Sequence, residues 1–185
     1  MVLFINGCVR QESRTLALAK TVLSREEGEV QEVQLFGEGG VRGLDGETLA
    51  LRNALSKERR FDHPLFRHAV QFAAADTIVL AAPYWDLLFP SAVRAYLEAV
   101  TVSGITFFYN EQGVPQGLCR AKRLIYVTTA GGPIVQNFGF EYVDALAKTF
   151  YGIADTRCVS AQGLDIVGAD PAAILAQTQR DYLMG

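Results

Sequence analysis

The sequence predicts a three-layer α/β sandwich. A five-stranded parallel sheet of order 2-1-3-4-5 carries helices on both faces, in one domain over residues 1–185. Three observations carry this. Strand-like and helix-like segments alternate along the chain, the pattern of parallel strands joined by crossover helices. The runs at 2–6, 77–82 and 123–129 are apolar throughout, as strands covered on both faces must be. The runs at 29–36 and 155–162 mix polar and apolar residues, as edge strands can. The order 2-1-3-4-5 puts the three apolar strands inside and the two mixed ones outside. The sequence fits that order without excluding others.

The elements follow in sequence. "VLFIN" (2–6) is the first strand, and "SRTLALAKTVL" (13–23) is a helix with Leu16, Ala19 and Leu23 on one face. "EVQEVQLF" (29–36) alternates as an exposed strand does. Residues 37–60 are Gly-rich and then charged, a loop with room for a short helix. "HPLFRHAVQFAAA" (63–75) is helical with Pro64 near its start, and "TIVLAA" (77–82) is the next buried strand. "PSAVRAYLEAVTVSG" (90–104) has Pro90 in its first turn and Gly104 beyond its end. "RLIYVTT" (123–129) is a strand, "GFEYVDALAKTFYG" (139–152) a helix ending near Gly152, and "DTRCVSAQ" (155–162) a weaker strand. The last helix (170–183) opens with Asp170 as cap and Pro171 at its first position.

Composition narrows the function. Half of the residues are hydrophobic and the net charge is −3. Lys and Arg form no basic stripe, so a nucleic-acid partner is not expected. No apolar run reaches the ~18 residues of a membrane span. The chain enters a strand at once with no charged leader, so the cytoplasm is the expected location. Cys8, Cys119 and Cys158 are widely spaced, and His63 and His68 are poorly spaced for one helix face. No metal site is expected from them.

In this topology ligands bind beyond the carboxyl ends of the strands, near the switch between the first and third. Three loops converge there. After the first strand comes "NGCVRQESRT", with Gly7 for a tight turn and Ser13 or Thr15 at a helix N-terminus. Unpaired N–H groups and the helix dipole favour a phosphate there. Arg10 and Arg14 add charge; equally, Ser13 is simply a helix cap. After the third strand comes the apolar, aromatic "APYWDLLFP" (82–90). After the fourth comes "TTAGG" (128–132), either a plain Gly-Gly turn or a surface that a flat ligand can approach closely. There is no G-x-x-x-x-G-K-[ST], G-x-G-x-x-G or G-x-S-x-G. A phosphate cradle, a glycine platform and an apolar wall together suit a phosphorylated planar cofactor, and FMN fits better than a nucleoside triphosphate.

The helix at 90–101 carries two stripes, Val93, Leu97 and Val100, and Ala92, Ala95 and Ala99. One faces the sheet and the other suits a second subunit. The following "GITFFYNEQGVPQGL" reads as an aromatic Gly-bounded loop, filling either a local core or a neighbour's site.

These segments together, "APYWDLLFPSAVRAYLEAV", "SGITFFYNEQGVPQGL" and "AKRLIYVTTAGG", resemble the flavodoxin-like NAD(P)H-dependent FMN oxidoreductases, in particular the FMN-dependent NADH:quinone oxidoreductases or azoreductases. That family has a Pro-Met-Tyr-Asn-Phe loop before a helix, an "AG-x-TF-x-Y-x-x-x-GP-x-GL" segment and a strand ending in Ser-Arg-Gly-Gly. The resemblance is colinear from about residue 2 to 165. It implies a homodimer with FMN bound in each site and NADH or NADPH as co-substrate. It assigns phosphate binding to Cys8, Ser13, Arg14 and Thr15, beside the Arg10 charge. It assigns the flavin ring to Pro83, Tyr84, Trp85, Asp86 and Leu87, and the platform to Thr129, Ala130, Gly131 and Gly132. Substrate stacking falls to Tyr109 and Phe150, with no catalytic acid or base. The implied reaction is ping-pong: NAD(P)H gives a hydride to flavin N5 and leaves, and a quinone or azo compound takes the electrons. The alternative on the same fold is a non-enzymatic flavin-binding or electron-transfer protein. Four positions depart from the family: Cys8 stands for Ser, Tyr84 for Met, Asp86 for Asn and Ala130 for Arg. A carboxylate at 86, if it faced the ring, would oppose an anionic reduced flavin.

Overall fold

The computed structural model describes residues 1–37 and 40–185. Residues 38 and 39, part of the expected 37–60 loop, lie outside the described residues. In chain order the strands are β1 (Val2–Asn6), β2 (Val30–Gln34), β3 (Thr77–Ala81), β4 (Phe107–Tyr109), β5 (Pro115–Gly117), β6 (Arg123–Thr129) and β7 (Asp155–Ala161). The α-helices are α1 (Arg14–Leu23), α2 (Gly46–Lys57), α3 (Arg67–Ala74), α4 (Ser91–Val100), α5 (Phe138–Leu146) and α6 (Pro171–Met184).

Five strands form one parallel sheet in the order β2-β1-β3-β6-β7. This is the expected 2-1-3-4-5 once the sheet's own strands are counted alone. Burial follows the predicted chemistry. Every residue of β1 is buried, as is nearly all of β3 and β6, whereas β2 is largely exposed and β7 alternates. Phe4, Val79, Ile125 and Val127 pack under α1 and α6, with Leu18 and Val22. Ile5, Leu80, Leu124 and Tyr126 pack on the opposite face, with Phe72 of α3, Tyr96 and Leu97 of α4 and Val143 of α5. These are the two hydrophobic layers that a doubly wound sheet needs.

Four details differ from the sequence expectation. The 37–60 stretch holds a full α2, started by Asp45, whose side chain accepts from the Thr48 N–H at 2.7 Å. Only Leu55 of α2 is buried, so the helix carries no strong apolar stripe to read. It packs in a satellite core with Phe66, Ala69 and Val102. Its Arg52 donates to the Glu98 and Thr101 carbonyls at the end of α4. Pro90 sits at the cap position, one residue before α4, rather than in its first turn. Residues 147–151, expected as the end of a helix, form one turn of π-helix that Gly152 closes with φ +75°. Finally, the aromatic "loop" is a β4–β5 antiparallel hairpin, with Phe107 opposite Gly117 and Tyr109 opposite Pro115. Each strand has only three residues, too short for an alternation signal.

The hairpin lies at the amino end of the sheet. α4 runs back from the carboxyl end of β3, and the chain after the hairpin bonds at the opposite end: Arg120 N–H to the Ala73 carbonyl and Lys122 N–H to that of Asp76. β5 rests on the π turn so closely that a β-carbon on Gly117 would overlap the backbone of Tyr151 and Gly152. Gly117→Ala is therefore expected to lower stability by about 2–3 kcal/mol, read as a lower urea midpoint with an unchanged denaturant slope.

Candidate cofactor site

The carboxyl ends of β1, β3, β6 and β7 open on one cleft of about 350 Å³, the size class of small-ligand pockets. Its first wall is the β1–α1 loop. Asn6, buried at the end of β1, donates to Glu32 at 2.8 Å and accepts from the Cys8 N–H at 3.0 Å, which turns the chain. Gly7 then passes so close to α4 that a β-carbon would meet Val93 Cγ2 at 2.7 Å and the Ala81 carbonyl oxygen at 2.9 Å. The loop presents Val9, Arg10, Glu12, Ser13, Arg14 and Thr15 to the cleft. Ser13 Oγ accepts from the Leu16 N–H at 3.2 Å, so it is a cap in fact. A single cap leaves other first-turn N–H groups for an anion.

The second wall is Pro83, Tyr84 and Trp85. The Tyr84 N–H donates to the Thr129 carbonyl at 3.1 Å, continuing the sheet past β3. Its hydroxyl donates to the Gln136 carbonyl at 2.9 Å and ties this wall to the loop after β6. Trp85, 46% exposed, presents the chain's one indole beside the cleft. The floor is Thr129, Ala130 and Gly131. A buried hydroxyl pair, Thr15 Oγ1 to Thr129 Oγ1 at 2.6 Å, joins floor to first wall.

Two lining residues, Leu164 and Asp165, come from the loop after β7, which the sequence reading did not assign to the site. That loop prolongs the β6–β7 ladder: Leu164 N–H to the Ala130 carbonyl and Asp165 N–H to that of Gly131. The adjacency of the fourth and fifth strands was the available signal. The Asp165 side chain fills the space a β-carbon on Gly131 would need. The missing β-carbon of Gly131 makes room for Asp165 while Gly131 still lines the cleft, and Gly132 stands in open space outside the lining. Asp165 Oδ1 accepts from Arg14 Nη1 at 2.8 Å, so the polar end of the cleft holds two cations, Arg10 and Arg14, against two anions, Glu12 and Asp165.

Five more assigned residues lie elsewhere. Cys8 is buried in the core behind the first wall, and burial pushes its thiol pKa up against a lowering hydrogen bond with Ser13. Asp86 and Leu87 do not line the cleft but form the tip of a tight turn beside it. Trp85 and Leu88 exchange both backbone hydrogen bonds, at 3.1 and 2.8 Å, and the two residues between them have φ of +50° and +68°. This is the primed two-residue hairpin turn, which needs left-handed backbone at both central positions. Asp and Asn tolerate that region, so Asp86 meets the same demand as the family's Asn. The Asp86 carboxylate is not among the groups that line the cleft. Tyr109 and Phe150 are the largest departure. They cluster with Phe107, at ring separations of 5.3 and 4.9 Å, on the hairpin and π turn at the other end of the sheet.

The cleft thus combines cationic and hydroxyl donors at one end with a flat aromatic wall at the other. That donor set fits a phosphate, and Pro83 to Trp85 fit a planar ring. Leu87, 45% exposed and left-handed, gains little from burial there. Leu87→Gly is expected to raise stability by about 1 kcal/mol, and Leu87→Val to lower it by at least as much, by thermal denaturation.

Comparison with known proteins agrees with this architecture. A family model described as flavodoxin-like fold matches residues 1–184. The FMN-dependent NADH:quinone oxidoreductase of Coprothermobacter proteolyticus is 34% identical over 171 residues, 86% of this chain and 84% of that protein. The FMN-dependent NADH:quinone oxidoreductase 2 of Clostridium acetobutylicum is 33% identical over 189 residues, covering 96% and 93%. In fold, the crystal structure of azoreductase from Bacillus anthracis superposes with a TM-score of 0.82 at 20% identity, covering 97% of this chain and 95% of that one. On this sequence similarity and this fold, the chain belongs to the flavodoxin-like family of FMN-dependent NADH:quinone oxidoreductases.

Proposed function

We propose that this chain is an FMN-dependent NAD(P)H oxidoreductase that reduces quinones or azo compounds in a ping-pong cycle. The single observation that carries it is the cleft itself. A hydroxyl and arginine cradle and an aromatic wall meet at the carboxyl ends of β1, β3 and β6, in a chain whose relatives are named for this cofactor and reaction. Arg10, Ser13, Arg14 and Thr15 hold the FMN phosphate, and Pro83, Tyr84 and Trp85 hold the ring against Thr129, Ala130 and Gly131. When bound, FMN supplies the two-electron chemistry, taking a hydride from the nicotinamide and later giving it to the acceptor. The chain's own part is to orient the ring, keep one face open for the two substrates in turn, and exclude water with Trp85.

Residues 1–185 act as one FMN-binding domain, in a cytoplasmic homodimer. Two observations support the dimer. A mostly apolar groove lined by Leu88, Phe89, Phe138 and Tyr142, with Arg94 and Glu141 also lining it, lies beside the starts of α4 and α5, with Phe138 48% exposed. Tyr109 and Phe150, to which the family resemblance gives substrate stacking, stand at the far end of their own sheet, where they are placed to serve the cleft of a second copy rather than their own. Among the described residues, no helix is long and apolar enough to cross a membrane.

Anaerobic mixing tests the reading. The FMN-loaded protein is expected to lose its yellow colour on adding NADH or NADPH and to recover it on adding a benzoquinone or an azo dye. An FMN-loaded protein bleached by neither nucleotide is a flavin carrier rather than an oxidoreductase. A protein that takes up no FMN overturns the reading altogether.

A further inference from the structure

We infer that Asp165 is a specificity-determining residue: it sets how strongly the cleft favours a phosphorylated flavin by competing with the phosphate for Arg14. The inference rests on the FMN reading above and adds a residue to it.

Three features of the structure carry it. First, Asp165 is held in place by its backbone, since the N–H groups of Leu164 and Asp165 bond the Ala130 and Gly131 carbonyls at 3.2 and 2.8 Å. Leu164 is buried, which anchors the segment from below. Second, the side chain occupies the space left by the missing β-carbon of Gly131, which is open only because that residue is glycine. Third, it pairs with Arg14 at 2.8 Å, and Arg14 opens the helix whose N-terminus faces the same cleft. With Glu12 also present, the two arginines are matched by two carboxylates before any ligand arrives.

A phosphate monoester brings up to two negative charges to this end. It must share Arg14 with Asp165, and the carboxylate repels it at short range. The ion pair itself is half-exposed, with side-chain exposures of 44% and 64%, so it yields readily to a competing anion. Asp165 therefore lowers the advantage of FMN over riboflavin, which lacks the phosphate, and makes the cofactor more exchangeable.

The test is flavin titration of the apoprotein, followed by quenching of Trp85 and of flavin fluorescence. Wild type, Asp165→Asn, Arg14→Gln and the double variant are each titrated with FMN and with riboflavin. Asparagine keeps the size and an acceptor for Arg14 while removing the charge. Asp165→Asn is expected to bind FMN about 3- to 10-fold more tightly and riboflavin unchanged. In the Arg14→Gln background the gain should shrink to less than half. Unchanged or weaker FMN binding by Asp165→Asn overturns the inference. So does an equal gain for both flavins, since Asp165 then acts on the ring or on stability, not through the phosphate. If wild type binds neither flavin, the FMN reading falls first and takes this inference with it; wild-type binding with an inert Asp165 leaves that reading standing.

Discussion

The structure depends on one constraint: β1, β3 and β6 are covered on both faces. Strands in that position can carry almost no polar side chain that lacks a partner. Polar chemistry gathers at the strand ends, where loops meet water; the buried Tyr126 and Thr128 hydroxyls of β6 are the exceptions. Thr15 and Thr129 show the constraint at its edge. Both are buried, and each satisfies the other at 2.6 Å. That pair pins the start of α1 to the end of β6, which fixes the distance between the anion-binding loop and the floor of the cleft.

The same constraint explains what could be read from the sequence. Uninterrupted apolar runs placed three strands at the centre, and mixed runs placed two at the edges. Helix caps at Ser13 and Asp170 were legible because a cap is a local interaction between neighbouring residues. The missed elements are those decided by contacts distant in sequence. β4 and β5 exist through six residues of short pairing and the close seat of Gly117 on Gly152. α2, expected only as room for a short helix, buries a single residue, and it is held by the Leu55 contacts and by Arg52 bonding the end of α4. Neither leaves a periodic trace.

At the cleft, residue types were easier to read than their roles. Gly131 was seen to need the absence of a β-carbon, but the group filling that space is Asp165, more than thirty residues later. Cys8 fell in the right loop, yet its side chain turns into the core. Tyr109 and Phe150 were grouped with the site by family resemblance, and within one chain they belong to the other end of the sheet. The distance is the length of α4, which carries the chain from the cleft to the hairpin. A resemblance transfers residues to positions; only the fold assigns those positions to one end or the other.

The turn at Trp85–Leu88 has a consequence for how this protein changes over generations. Left-handed backbone at position 86 admits few residue types, and Asn and Asp are the two with side chains that suit it. Their codons differ by a single nucleotide. Mutation at this position is thereby channelled between a neutral amide and a carboxylate on an unchanged backbone. A single-nucleotide change between them alters the charge beside the cleft while the turn keeps its backbone.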